Sequence, residues 1–260
     1  MLVLAFDTAT AAVTVALYEW SPGEGIVGRA ATEAVDPRRH TELLTPSIAA
    51  VLAEAGAAPE DLSALAVGVG PGPYTGLRVG LVTARAMGEA LRVPVHGVCT
   101  LDVIAWASGR MTPFAVATDA RRKEVYWARY DSAGLRTTEP AVGPATDVRE
   151  GGPDDLPVIG EGAALYPDVL GTPGQDPTPL LPTATALAEL AVTRLSGGVG
   201  PGLLPPEPLY LRRPDAKEPG PRKKVTPATP PSPASPPSPA SPPSPASPTS
   251  PATPPSGARP

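Results

Sequence analysis

Short apolar runs and helical-period stripes alternate along the first 108 residues, and each change of period marks a change of element. Residues 2–6 are almost continuously apolar and residues 12–18 are rich in valine, with Asp7-Thr8-Ala9-Thr10 between them, so the two runs predict a hairpin. A third strand over 25–34 completes an antiparallel trio. In residues 41–55, Leu44, Ile48, Val51, Leu52 and Ala55 recur at helical spacing. Pro46 leaves two readings open: Thr45 caps a helix with Pro46 in its first position, or a longer helix starts at His40 and bends. Residues 65–69 predict the next strand. After a loop, Leu77, Leu81, Ala84, Gly88 and Leu91 line one stripe of a helix. Its small residues, Gly80, Ala84, Ala86, Gly88 and Ala90, predict close approach by a partner helix. A strand over 95–98 and a helix over 101–108 finish an α/β half.

The second half is weaker in pattern. Strands are predicted over 114–117, 125–130 and 158–160, and a helix over 183–196 with Leu187, Leu190, Ala191 and Leu195 on one face. Residues 134–182 hold many Gly and Pro and read mostly as irregular. From about Pro214 the chain becomes repetitive, with Pro-Ser-Pro-Ala-Ser-Pro beginning at Pro231, Pro237 and Pro243. Such a segment has nothing with which to form a core and is expected to be a disordered, locally polyproline II tail acting as a linker.

Charge separates along the same boundary. Residues 211–260 carry seven Lys/Arg against two Asp/Glu, a net of +5, while the whole chain is formally −5, so the remainder carries −10. An acidic body is a poor ligand for a phosphate backbone, so if RNA is involved, something else is expected to hold most of it. The one cysteine, Cys99, excludes an internal disulfide and a thiolate metal site and reads as a small core residue. No apolar run approaches the roughly 20 residues that cross a bilayer, and the N-terminal run lacks a basic flank. The expectation is a cytoplasmic protein with no membrane association.

The chemistry-bearing candidates are few. The loop Gly70-Pro71-Gly72-Pro73-Tyr74-Thr75-Gly76 joins a strand to a helix N-terminus, with Thr75 as the expected N-cap, a geometry that favours an anion or an acidic group. It lacks the Lys-Ser/Thr ending of a P-loop and the spacing of a dinucleotide fingerprint. Asp7, Thr8 and Thr10 admit two readings: an acid and two hydroxyls approaching a metal-bound phosphate, or a polar β-turn in which Ala9 stands where glycine would let the backbone close on a phosphate. His40 and His96 are 56 positions apart, and Leu44 stands where a helical His pair would need its second member, so no metal site is expected. Asp119, Arg121 and Glu124 form either an acid/base group or a solvated turn. Arg78 lies in the first turns of its helix, where a cation is disfavoured unless it meets a carboxylate or phosphate, and it is the leading contact candidate.

Several of these blocks occur together and in order: Phe6-Asp7-Thr8-Ala9-Thr10, Arg39-His40-Thr41, Gly70 through Gly80, Asp119-Ala120-Arg121 with Glu124-Val125-Tyr126-Trp127-Ala128, and Pro208-Leu209-Tyr210-Leu211-Arg212. In this the chain resembles the TsaB (YeaZ-type) family, accessory proteins of tRNA threonylcarbamoyladenosine synthesis, over about residues 1–213. The resemblance implies an α/β, actin-like/sugar-kinase-type ATPase fold with two related lobes, the second reduced: 1–108, 109–213, and then the Pro-rich tail from 214. It implies a non-catalytic subunit that pairs with a TsaD-type catalytic paralogue, works with a TsaE-type ATPase, reaches tRNA only through that complex, and forms a homodimer when alone. The partner surface it implies lies on the helices over 40–55 and 75–91, with His40, Leu44, Ile48, Thr75, Arg78, Gly80 and Ala84 as contacts. It implies no cofactor of its own, with Asp7, Thr8 and Thr10 as a vestigial nucleotide site and ATP or ADP at a subunit boundary. The rival is an enzyme on the same fold, a sugar-kinase-like phosphotransferase or a glycoprotease-like metallopeptidase.

Overall fold

Strand β1 (Leu2–Asp7) is buried on both faces, and its alternating side chains feed two separate cores. In the computed structural model, which describes residues 1–153, 155–171 and 179–212, β1 pairs antiparallel with β2 (Ala12–Ser21), which pairs antiparallel with β3 (Gly25–Val35). On its other side β1 runs parallel to β4 (Ala64–Gly70), and β4 parallel to β5 (Val95–Cys99), giving the order β3-β2-β1-β4-β5. The intervening helices are α1 (His40–Glu54), α2 (Tyr74–Leu91) and α3 (Thr100–Ser108). The expected tail lies outside the described residues.

Side chains of period two decide which helix packs where. Leu4, Phe6, Val15, Leu17, Leu65 and Val67 face Leu44, Ile48 and Val51 of α1 and Leu77, Leu81 and Ala84 of α2. Val3, Ala5, Ala16 and Ala66 point the other way, onto α6 (Ala184–Leu195), which follows α4 (Glu161–Leu165) and α5 (Pro167–Leu170) in the chain. Helix α6 therefore completes the first sheet, although its place in the sequence puts it in the second lobe. The small residues Ala184, Ala186, Ala188 and Ala191 let it lie flat against Ala5 and Ala66, and Thr183 caps it by accepting from Ala186 N–H at 3.2 Å.

The second sheet is smaller, in the order β8-β7-β6-β9, from β6 (Phe114–Asp119), β7 (Glu124–Tyr130), β8 (Ala141–Pro144) and β9 (Val158–Ile159). Leu101 and Ile104 of α3 pack on Phe114, Val116 and Tyr130, so α3 fills the space between the two sheets. Two sheets with this strand order, the second cut short, form the α/β actin-like/sugar-kinase-type fold expected.

Three local expectations change. Pro46 sits inside one helix that starts at His40, the second of the two readings for α1. Helix α2 begins at Tyr74 with Pro73 as its N-cap, so Thr75 lies within the first turn and caps nothing. Part of the stretch expected to be irregular is ordered by arginines that reach backbone carbonyls. Arg129 donates to the Val148 carbonyl at 3.0 Å and Arg149 to the Leu156 carbonyl at 2.6 Å. A guanidinium satisfies several such acceptors at once, which suits segments with too few apolar residues to hold themselves.

Candidate functional site

The β1–β2 tip and the β4–α2 loop approach each other so closely that side chains have been left out of one of them. Gly68, Gly72, Gly76 and Gly80 recur every fourth residue, and all four face the segment Asp7–Ala9. A Cβ on Gly76 would come within 2.5 Å of the Thr8 carbonyl oxygen, and one on Gly80 within 2.7 Å of Thr8 Oγ1; at Gly68 and Gly72 the approach to Asp7 and Ala9 is closer still. Into this contact Thr8 sends its hydroxyl, which donates to the Gly76 carbonyl at 2.7 Å and accepts from Gly80 N–H at 3.0 Å. Those are the two groups that one i→i−4 rung of α2 joins, so Thr8 ties strand β1 to the helix at that rung.

Asp7 is fully buried beside it. One carboxylate oxygen accepts from Ala9 N–H at 2.5 Å and the other from the Thr100 hydroxyl at 2.7 Å, while Thr100 in turn accepts from Gly70 N–H at 3.2 Å. Burial pushes the Asp7 carboxyl up to about 6, against the opposing pull of those hydrogen bonds and of nearby His40. Thr10 is also buried, and its carbonyl accepts from His40 Nε2 at 2.7 Å. A cleft of about 280 Å³ opens beside this bond, lined by Thr10, Arg38, His40, Thr75 and Arg121 among others. Arg121 pairs with Asp119 at 3.2 Å in the β6–β7 turn, where Arg121, Arg122 and Lys123 have φ of 61°, 58° and 63°. Three successive non-glycine residues in the left-handed region are costly. The turn is closed by Ala120 N–H to the Glu124 carbonyl at 3.0 Å and Glu124 N–H to the Arg121 carbonyl at 3.0 Å.

The polar groups at the tip are committed within the protein. The Asp7 carboxylate, the Thr8 hydroxyl and the N–H groups of Ala9, Gly70 and Gly80 already bond within the protein, and the Ala9 carbonyl occupies the space that the missing Gly72 side chain leaves. Among the described residues, no group of three or more His, Cys, Asp or Glu lies together in a position to hold a metal ion. Cys99 is buried and burial pushes its thiol up to about 12, consistent with a core residue.

Residues 21–150 match the family described as "TsaD: tRNA N6-adenosine threonylcarbamoyltransferase". The tRNA threonylcarbamoyladenosine biosynthesis protein TsaB of Escherichia coli is 33% identical, over 82% of this chain and 95% of that protein. The chain belongs to the TsaB family. The solved structure of YeaZ from Pseudomonas aeruginosa is 31% identical and covers 81% of this chain and 99% of that one with a TM-score of 0.64. A Mycobacterium leprae protein is 48% identical over 83% of this chain, which spans only 56% of that relative's length.

The partner-facing residues expected from the TsaB resemblance divide in two. Leu44, Ile48, Gly80 and Ala84 are buried within this chain: the first two and Ala84 against the first sheet, Gly80 against Thr8. Ile48, Gly80 and Ala84 therefore lie off the exposed surface, while Leu44, though buried, forms part of the floor of the groove between α1 and α2; within the small-residue stripe of α2, Gly80 meets Thr8 and Gly88 meets Val95, and Ala86 and Ala90 remain exposed. Thr75 and Arg78 are on the outer side, and His40 is half-buried at the cleft. Arg78 Nε donates to the Tyr210 hydroxyl at 3.0 Å and its guanidinium lies 4.0 Å from the centre of the Tyr74 ring. Tyr74, Val82 and Tyr210 were not singled out by sequence reasoning. Of Gly68, Gly72, Gly76 and Gly80, only Gly76 and Gly80 lie in α2, and that pair alone does not tell an inward face from a partner-facing one.

Two outcomes follow. Thr8→Val keeps the shape and removes the hydroxyl, so it should destabilise the protein by about 1–3 kcal/mol in urea unfolding, whereas Thr8→Ser should cost about 1 kcal/mol or less. Equal losses for the two would contradict the bridging role. Asp7 binds its proton more tightly in the folded chain, at about 6, than in the unfolded one, at 3.8, so its contribution to stability is complete below pH 4 and is lost as pH rises through 6. The loss is on the order of 3 kcal/mol. Compared with Asp7→Asn, the wild-type protein should therefore weaken between pH 4 and 6.5; a difference between the two that does not change with pH would exclude a raised Asp7.

Proposed function

We propose that the chain is a non-catalytic accessory subunit that pairs with the TsaD-type catalytic paralogue and supports N6-threonylcarbamoylation of adenosine 37 in tRNAs reading ANN codons. Family membership places it with proteins named for threonylcarbamoyladenosine biosynthesis. The observation that carries the pairing is the groove between α1 and α2, about 440 Å³, lined by Leu44, Thr45, Tyr74, Arg78, Val79 and Val82. Val82 is 63% and Tyr74 45% exposed at its edge, an apolar rim around one cation on an otherwise polar helix face. A related helix pair would cover that rim, and the chain's own likeness to the TsaD family supports a related subunit as its partner.

The site chemistry supports a supporting rather than a reacting role. Asp7 and Thr8, the groups best placed to meet a phosphate, hold the protein together instead. The acidic body, −10 outside residues 211–260, suits a subunit that leaves tRNA to its partners. A TsaE-type ATPase completes the assembly in this reading, and without the paralogue a second copy of the chain covers the same groove.

Co-expression of the full chain with its paralogue should yield a stable heterodimer. Val82→Glu should weaken it tenfold or more, by about 1.4 kcal/mol or above, with no loss of thermal stability, because a charge is then buried without a partner. ATP turnover or peptidase activity by the isolated chain, abolished by Asp7→Ala, would overturn the assignment in favour of the enzyme reading.

A further inference from the structure

The docking reading leaves the last described segment without a role. Residues 203–212 form a strap across the edge of the first sheet. Leu204 exchanges backbone bonds with Gly97 on β5 at 2.7 and 2.8 Å, Leu209 N–H donates to the Val69 carbonyl at 2.9 Å, and Arg85 of α2 donates to the Pro206 carbonyl at 2.9 Å. Leu204 and Leu209 pack against two of the cores. Pro205, Pro206 and Pro208 fix φ along this path, so the strap has few alternative courses. At its far end Arg212 donates to the Ala120 carbonyl at 3.1 Å and pairs with Glu124, both in the β6–β7 turn.

Between these anchors Tyr210 reaches the outer face of α2. Its ring stacks on Tyr74, with centroids 5.3 Å apart and planes at 23°, and its hydroxyl accepts from Arg78 Nε at 3.0 Å. Tyr74 and Arg78 both line the α1–α2 groove. The guanidinium is thus held by an aromatic face and a hydroxyl from the strap, although its helix position near the N-terminus does not favour a cation.

We propose that Tyr210 is a positioning residue for partner docking: the strap orders Arg78 and Tyr74 at the edge of the groove before the paralogue arrives. This rests on the pairing proposed above. A free arginine loses rotamer freedom when an interface fixes it, and one already fixed does not meet that cost again at binding. Tyr210 takes one of the five N–H donors of Arg78, leaving the others for a carboxylate on the partner.

The test is a double-mutant cycle on the affinity of the full chain for the purified paralogue, with the melting temperature of each variant measured alongside. Tyr210→Phe keeps the ring stack and removes only the hydroxyl. It should weaken binding about three- to tenfold without changing the melting temperature, and it should have no further effect in an Arg78→Ala background. Unchanged affinity, an equal loss with and without Arg78, or a loss that tracks a lowered melting temperature would each overturn the positioning role. Failure of the wild-type chain to bind the paralogue at all is a different result and removes the pairing itself.

Discussion

Where the Thr8 hydroxyl meets the Gly76 carbonyl and Gly80 N–H, no side chain of α2 separates the helix from strand β1. That single close approach fixes the height and rotation of α2 over the sheet. Rotation is what matters, because it decides which residues of the helix are spent inside and which remain outside. With Gly76, Gly80 and Ala84 turned inward, Tyr74, Arg78 and Val82 are left at the surface beside α1. The outer face is thus a consequence of the inner one, and a side chain added to the glycine row would disturb both.

The same contact changes what the loop can do chemically. A glycine-rich turn entering a helix presents N–H groups that suit a phosphate. Here Gly70 N–H goes to Thr100, Ala9 N–H to Asp7 and Gly80 N–H to Thr8, so these three donors around the tip bond to the protein's own oxygens. Asp7 remains as a buried carboxyl pushed up to about 6, a group whose ionisation weakens the fold rather than one poised toward solvent. The tip and the helix thereby form one hydrogen-bonded block, the base on which the proposed docking surface rests.

Much of this fold was legible in the sequence. The strands and helices of the first sheet follow from apolar runs and helical stripes, since these segments bury whole faces and the pattern has nothing else to report. The direction in which α2 faces was not legible from the sequence, because glycines four apart in a helix, such as Gly76 and Gly80, fit equally a foreign helix and the chain's own hairpin. Ile48, expected as a contact, lies in the core for the related reason that a core stripe and a docking stripe are both apolar. The attachment of α6 to the first sheet depends on a return of the chain from Ala184 to strands that end at Cys99, which no local period encodes. The order of the stretch after Tyr130 rests on Arg129 and Arg149 reaching carbonyls, and arginine in a polar segment carries no such signal. Tyr210 was noticed only as part of a shared block; its contact with Tyr74 and Arg78 spans 132 positions between Arg78 and Tyr210.

In the function proposed for this TsaB-family chain, the work is done by a shaped surface. Its central element is the outer face of α2, held from beneath by Thr8 and from the side by the strap. Amide hydrogen exchange of the full chain, free and mixed with its TsaD-type paralogue, tests this most directly. The account predicts added protection along α1 and the exposed side of α2, with the β1–β2 tip equally protected in both states. Protection concentrated on the second sheet or on the cleft beside Arg121, with α1 and α2 unchanged, would contradict it.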